Sequence, residues 1–384
     1  MLFALAYGDG METNMRIILC GGGTAGHVNP ALAIAEEIKR RDEHSDILFV
    51  GRSGGDENNI MTRAGYALKT LTVQGFDRRI TLKNLKSLGL AISATREARK
   101  IIRSYEPDIV LGTGGYVCWP LLRAAARLGI PTVLHESNIY PGLTTRLLSP
   151  KVSLMLLNNG KTLEYLKRRD NTRVVGNPLR CDFEKISRQA ARARLALGER
   201  DVFILSFGGS IGAAVLNEAV IKVMKEFSGK APHVRHIHGT GRRFYDEIRT
   251  RERSLCGEGK AKIVPYVENV PELMRAADIV VSRCGAMTLS ELAAAGVASI
   301  LVPSPNVTDN HQVKNARALS DADAAIMMEE HELVGEKLRT EISRLVYSPK
   351  ERARLARRIK SFDKPNAASK IVELLQGITN SAKQ

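Results

Sequence analysis

Aromatic residues are scarce in this chain. Phe, Trp and Tyr together make up 5% of its 384 residues, and Trp119 is the one tryptophan. Proteins that grip single-stranded nucleic acid stack bases on aromatic rings, so that class is disfavoured and no nucleic-acid partner is expected. Cysteine is sparse as well. Cys20, Cys118, Cys181, Cys256 and Cys284 are scattered, odd in number and without a CxxC pair. That excludes a disulfide framework or zinc cluster of the usual spacing and favours a reducing compartment. No uncharged apolar run reaches the ~18 residues expected of a membrane span, so work at a membrane is expected from its surface. The opening Met1-Leu2-Phe3-Ala4-Leu5-Ala6-Tyr7 is apolar but lacks a basic leader. It does not read as a secretory signal, and residues 1–14 are expected to precede a fold starting near Met15.

Acidic residues are in deficit. Against 57 Lys and Arg stand 41 Asp and Glu, a formal charge of +16. Such a surplus suits an anionic membrane face or a phosphorylated substrate. Hydrophobic content of 44% and charged content of 26% are those of an ordinary globular protein.

Short apolar, often β-branched runs recur along the chain: 17–20, 47–50, 109–111, 132–134 and 152–156, then 202–207, 234–237, 262–264, 279–282 and 299–302. Helical patterns lie between them, at 31–40, 85–105, 216–227 and 289–295. Alternation of this kind predicts parallel sheets covered on both faces. Residues 202–207 run into Gly208-Gly209-Ser210-Ile211-Gly212-Ala213, which restarts the strand, glycine turn and helix of the first half. The expected class is therefore α/β, with two Rossmann-like doubly wound domains and an interdomain cleft. The expected boundaries are 15–178, 179–348, and a C-terminal helix and frayed tail over 349–384 that returns to the first domain.

The richest segment is Ile17-Ile18-Leu19-Cys20-Gly21-Gly22-Gly23-Thr24-Ala25-Gly26-His27. An apolar strand meets glycines that let backbone approach a ligand, then a helix start whose free N–H groups suit phosphate. His27 adds a group that exchanges protons near neutral pH, which makes it the candidate catalytic residue. Gly112-Thr113-Gly114-Gly115-Tyr116 follows another strand. With the first loop it forms a candidate cradle for a diphosphate, from Gly23, Gly114, Gly115 and Tyr116. Its bland reading is a tight turn with close packing. Gly21, Gly23 and Gly26 also satisfy G-x-G-x-x-G, so an NADP-dependent oxidoreductase is a rival. The second strand ends in Gly51-Arg52 rather than the acidic residue that NAD binding favours.

In Arg283-Cys284-Gly285-Ala286-Met287-Thr288-Leu289-Ser290-Glu291, Thr288 and Glu291 fit a capping box. The alternative is that Glu291 grips the cis-diol of a ribose. His236 and His238 would share one face of a strand and are read as strand residues. Asp321-Ala322-Asp323 lies in a polar turn, and no metal or other cofactor is expected. Leu82, Leu85, Leu88 and Ile92 repeat at helical spacing beside Arg78, Arg79, Lys83 and Lys86. That stripe is either core-facing or, with Trp119, a membrane-surface element.

An ordered set of motifs carries a family resemblance. It comprises the segments 22–30 and 112–116, His135-Glu136-Ser137-Asn138, Gly176-Asn177-Pro178-Leu179-Arg180, the segments 208–213 and 288–296, and Asp309-Asn310-His311-Gln312-Val313-Lys314-Asn315-Ala316. The chain resembles the MurG family, glycosyltransferase family 28, over nearly everything beyond Met15. The resemblance implies a GT-B fold and inverting transfer of N-acetylglucosamine from UDP-GlcNAc to the muramoyl 4-hydroxyl of a lipid-linked acceptor, lipid I. The product would be lipid II, made for peptidoglycan at the cytoplasmic face of the bacterial membrane, with cell-wall synthesis proteins as potential partners. It implies donor contacts from Arg180, Ser210, His311 and Gln312, and a nucleotide lining of Ala286, Met287, Thr288, Leu289, Ser290 and Glu291. Val267 would lie near the uracil, and Thr24, Ala25, Gly26 and Asn138 would complete the site. Ala25 stands where the family usually has glycine, and Ser137 where glutamine is common. Another GT-B enzyme acting on glycolipids, or a UDP-GlcNAc epimerase, is the alternative within the same fold.

Overall fold

A computed structural model describes residues 14–55, 58–73, 82–209, 211–231, 233–255 and 260–383; the side chains of residues 25, 82–92, 228, 229, 334 and 383 fall outside that description. The chain forms two compact units, residues 1–180 with 366–384, and residues 181–365.

In the first unit the strands are β1 (Arg16–Cys20), β2 (Asp46–Arg52), β3 (Ala67–Leu71), β4 (Ile109–Gly112), β5 (Thr132–Glu136), β6 (Leu154–Leu157) and β7 (Thr172–Val174). They form one parallel sheet in the order β3-β2-β1-β4-β5-β6-β7. Its helices are α1 (Ala25–Arg41), α2 (Asn58–Arg63), α3 (Leu82–Tyr105), α4 (Cys118–Arg127) and α5 (Leu143–Leu148). Residues 17–20 of β1 are fully buried because both sheet faces are covered. The strand's period of two sorts them: Ile17 and Leu19 pack in one core layer with α1, Ile18 and Cys20 in the other with α4.

The second unit repeats the scheme with β8 (Val202–Phe207), β9 (Val234–Gly239), β10 (Ala261–Val264), β11 (Ile279–Ser282), β12 (Ala298–Leu301) and β13 (Ile326–Met327), ordered β10-β9-β8-β11-β12-β13 and parallel. Its helices are α6 (Arg188–Arg194), α7 (Ala214–Lys230), α8 (Arg242–Arg251), α9 (Val270–Ala276), α10 (Ala286–Ala295), α11 (His311–Ser320), α12 (Lys337–Tyr347) and α13 (Pro349–Lys360). A final helix, α14 (Ala367–Lys383), belongs to the first unit, where Ile371, Val372 and Leu375 join the core beside α1.

Each sheet has one place where consecutive connections run to opposite sides, between β1 and β4 and between β8 and β11. Such switch points leave a crevice at the strands' carboxyl ends where ligands bind in open α/β sheets. Both pairs of glycine-containing turns lie there.

Several expectations are corrected. The 349–384 segment is not one element: α13 stays with the second unit and α14 with the first. Helix α14 continues past Thr379, which is 3% exposed, to Lys383, where a frayed tail was expected. Helix α1 begins six residues ahead of the expected start, with Pro30 inside it. Pro30 has no N–H to give, so the Gly26 carbonyl loses its partner one turn on. The strands β3, β7 and β13 were not anticipated from the sequence.

Candidate functional site

The first switch point is built around His27. Thr24 takes extended backbone at the N-cap of α1, without a side-chain cap bond, and His27 falls in the first turn. Ala25 is the first residue of the helix. The Nδ1–H of His27 donates to the Gly22 carbonyl at 3.0 Å. A carbonyl only accepts, so this bond places the ring proton on Nδ1 and leaves the lone pair on Nε2.

The β4–α4 turn closes over the ring. Gly114 has φ +115°, and a Cβ there would lie 2.6 Å from His27 Cδ2 and 3.0 Å from Nε2. Only glycine fits that conformation and that contact. The Gly22 N–H donates to the Gly114 carbonyl at 3.3 Å, tying the two turns together. Thr113, 1% exposed, donates its hydroxyl to the His27 carbonyl at 2.6 Å. Gly23 and Tyr116 are exposed beside this group.

At the end of β5, Glu136 is buried and accepts four hydrogen bonds. They come from the Asn138 N–H at 2.9 Å, Asn138 Nδ2 at 3.0 Å, the Gly142 N–H at 3.1 Å and the Thr145 hydroxyl at 2.7 Å. Its carboxylate organises the loop that presents Asn138. Glu136 and Thr113 lie inside sequence motifs that by themselves assign neither a role. The guanidinium of Arg180 makes a forked ion pair with Glu36 of α1, Nε at 3.0 Å and Nη2 at 2.6 Å. Nothing in the sequence signalled Glu36.

In the second unit the turns after β8 and β11 lie side by side. Gly212, at φ +82°, packs so closely on the Thr240–Gly241 backbone that a Cβ would sit 2.2 Å from the Thr240 carbonyl. Ser210 lies outside the described residues. Val267, 5% exposed, touches Gly239 at the end of β9. Helix α10 starts with Gly285 at the N-cap and Ala286 as its first residue. The expected capping box is therefore corrected: Thr288 and Glu291 lie inside the helix, and no side chain caps it. Glu291 has no hydrogen-bond or ion-pair partner among the described residues, and burial alone pushes its carboxyl up to about 7. A desolvated carboxylate without a partner is costly to keep unless a ligand uses it.

Gln312 of α11 anchors that turn. Its Oε1 accepts from the Ser304 N–H at 2.9 Å and the Cys284 N–H at 3.3 Å, which leaves Nε2 as the donor end of the amide. His311 is held by Nδ1 donating to the Thr308 carbonyl at 2.7 Å. Arg283 pairs with Glu330 and braces the Val302 and Pro303 carbonyls. Among the described residues no group of three or more His, Cys, Asp or Glu could hold a metal. Asp323 is engaged by Arg354 and Arg358. His236 and His238 share a buried face through Ser206, as strand residues.

Of the expected membrane stripe, Arg78 and Arg79 lie outside the described residues. So do the side chains of Lys83, Lys86, Leu82, Leu85, Leu88 and Ile92. No described helix is long and apolar enough to cross a membrane.

The architecture matches that of solved nucleotide-sugar enzymes. The crystal structure of MurG from Acinetobacter baumannii aligns with a TM-score of 0.77 at 25% identity, covering 94% of this chain and 99% of that one. A structure described as a UDP-N-acetylglucosamine 2-epimerase from Listeria monocytogenes shares the fold alone, with TM-score 0.65 at 12% identity over 95% of this chain and 96% of the other. The fold and its two glycine-turned switch points define a GT-B enzyme. Residues 17–156 match the glycosyltransferase family 28 N-terminal domain and residues 203–371 the family 28 C-terminal domain. The UDP-N-acetylglucosamine--N-acetylmuramyl-(pentapeptide) pyrophosphoryl-undecaprenol N-acetylglucosamine transferase of Thermoanaerobacter sp. (strain X514) is 38% identical over 367 residues, 95% of this chain and 100% of that protein. The chain belongs to glycosyltransferase family 28, in its MurG branch of N-acetylglucosaminyltransferases.

Proposed function

We propose that His27 is the general base in the transfer of N-acetylglucosamine from UDP-GlcNAc to the muramoyl 4-hydroxyl of lipid I, the reaction by which this family makes lipid II. The observation that carries the reading is the bond from Nδ1 to the Gly22 carbonyl, which presents Nε2 as a proton acceptor. The acceptor hydroxyl gives its proton to Nε2 while its oxygen bonds to the anomeric carbon. The bond from that carbon to the diphosphate oxygen breaks, its electron pair leaves with UDP, and the anomeric centre inverts.

Charge gathering on UDP is met by uncapped helix starts. Helices α7 and α10 both begin without a side-chain cap, and helix starts of that kind suit phosphate oxygens. Glu291 accepts from the ribose hydroxyls, Val267 borders the uracil, and residues 286–290 line the nucleotide. Gln312 donates its Nε2 hydrogens to the sugar beside His311. Thr24, Ala25, Gly26, Asn138, Arg180 and Ser210 complete the donor contacts, and Gly23, Gly115 and Tyr116 border the acceptor diphosphate. Arg180 must exchange Glu36 for the donor to do so. The enzyme works on its lipid substrate from the membrane surface, a reading supported by the exposed Leu143 and Leu147 of α5 and by Arg123 and Lys151 over the Trp119 ring.

The test is His27→Ala, assayed with labelled UDP-GlcNAc and a muramoyl lipid diphosphate. Turnover is expected to fall by about 10²–10⁴-fold, the usual worth of a general base, while UDP-GlcNAc still raises the melting temperature as in the wild type. Turnover near wild type would remove His27 from the mechanism.

A further inference from the structure

The β4–α4 glycine turn grips His27 more completely than a phosphate cradle requires. Gly114 has no room for a Cβ because the imidazole occupies that space. The turn reaches His27 from two directions: its backbone lies against the ring at Gly114, and its Thr113 side chain holds the main-chain carbonyl of the same residue. The Thr113 hydroxyl has one proton. The His27 carbonyl at 2.6 Å receives it, and the Cys20 carbonyl at 3.2 Å is the longer alternative. The Thr113 N–H is already committed to Cys20 at 2.8 Å, so the residue is pinned to β1 before its side chain acts. Cys118 Sγ donates to the Gly114 carbonyl at 3.1 Å, which fixes the turn from its far side. In serine-hydrolase triads a carboxylate orients the base; here a main-chain carbonyl holds the ring and a threonine holds the main chain.

From this geometry we infer that Thr113 is a positioning residue for the base: its hydroxyl fixes the α1 first turn so that Nε2 of His27 meets the acceptor hydroxyl. The inference rests on the assignment of His27 as general base. It also gives Gly114 a different reason to be glycine from the diphosphate contact expected of it, namely room for the ring. Thr113 touches no reacting atom. Its removal therefore acts first on the chemical step, while the donor contacts proposed for the second unit stay in place.

The experiment compares Thr113→Val, Thr113→Ser, His27→Ala and the Val–Ala double variant, each as the full chain. It measures kcat, the KM for UDP-GlcNAc and the melting temperature. Thr113→Val keeps the size and deletes the donor. It is expected to lower kcat roughly ten- to a hundred-fold, the range in which misplacement of a catalytic group is felt, with a much smaller change in the KM for UDP-GlcNAc. Thr113→Ser restores the hydroxyl and is expected to recover most of kcat. In the His27→Ala background, Thr113→Val is expected to cost nothing further, because there is no base left to misplace. A wild-type kcat in Thr113→Val, or an equal loss with and without His27, overturns the inference while the base assignment stands. Undiminished turnover in His27→Ala itself overturns the base assignment and this inference with it. Should Thr113→Val fail to fold, Thr113→Ala carries the same expected split.

Discussion

Glu291 shows what a single residue's surroundings decide. Its sequence context fits a helix cap, and a capping carboxylate accepts N–H bonds that lower its pKa. The structure gives it no such bonds, and burial raises it from 4.5 to about 7. The consequence for stability has a definite sign. The folded chain holds that proton more tightly than the unfolded chain. Stability from this group is therefore greatest below about pH 4.5, falls as pH rises towards 7, and is flat above. Glu291→Gln should accordingly raise the melting temperature at pH 8 and change it little at pH 4.5. In the role proposed for Glu291 the charged form is the stronger acceptor for the ribose hydroxyls, so the melting shift induced by UDP-GlcNAc should shrink as pH drops below 7 in the wild type. In the Gln variant that shift should be small at every pH. Thermal melts with and without UDP-GlcNAc from pH 5 to 8 check both; a Gln variant that is less stable at pH 8 restores the capping reading.

At the scale of elements, the central strands were legible because burial on both faces leaves an unbroken apolar run, as in Ile17-Ile18-Leu19-Cys20. The outer strands were not. Ala67–Leu71 shows alternating exposure around Lys69, and Thr172–Val174 spans three residues with Arg173 and Val174 exposed, so neither carries the signal of a covered sheet. The start of α1 was hidden by Pro30, which ordinarily ends a helical pattern. The glycine turns and His27 stood out in the sequence, whereas the hydroxyl of Thr113 and the carboxylate of Glu136 act through hydrogen bonds that only the folded loops bring about. Helices α4 and α5 make the same point for the membrane. Trp119 carries Arg123 and Lys151 over its ring at 5.3 and 5.4 Å, and Leu143 and Leu147 of α5 are 51% and 46% exposed. Apolar side chains flanked by cations suit an anionic interface. Leu143→Asp with Leu147→Asp should reduce co-sedimentation with anionic vesicles several-fold and leave the melting shift from UDP-GlcNAc unchanged. Undiminished sedimentation would move the membrane contact away from α5.

Across the whole molecule, acid is expected to act on the two units unequally, because the second has two buried histidines bonded through one serine. Asn217 donates its amide to the Thr240 carbonyl at 3.0 Å, so its Oδ1 must accept from His238 Nε2–H at 3.2 Å. His238 Nδ1 is then an acceptor, the Ser206 hydroxyl donates to it at 2.8 Å, and Ser206 in turn accepts from His236 Nε2–H at 2.7 Å. The bond from Ser206 requires a neutral His238, whose Nδ1 must keep its lone pair to accept it. Burial lowers His236 to about 3, helped by its neighbour His238, and lowers His238 to about 4. The first unit has a single counterpart, His135, lowered by burial while its Nε2–H donates to the Gly176 carbonyl at 2.9 Å. Unfolded histidines titrate near 6.5. Below that pH the unfolded chain binds protons that the folded chain refuses, so stability is complete above about 6.5 and is lost as pH falls towards 4. Calorimetry in buffers of different ionisation enthalpy should find proton uptake on unfolding at pH 5. The transition of the second unit, identified by its protection with UDP if the proposed donor site is right, should fall more steeply with acid than that of the first. His236→Gln with His238→Gln should flatten the steeper one. If the pair of substitutions leaves its slope intact, the acid sensitivity arises from other groups, and the directed chain from His236 to Thr240 serves only to hold the turn against Gly212.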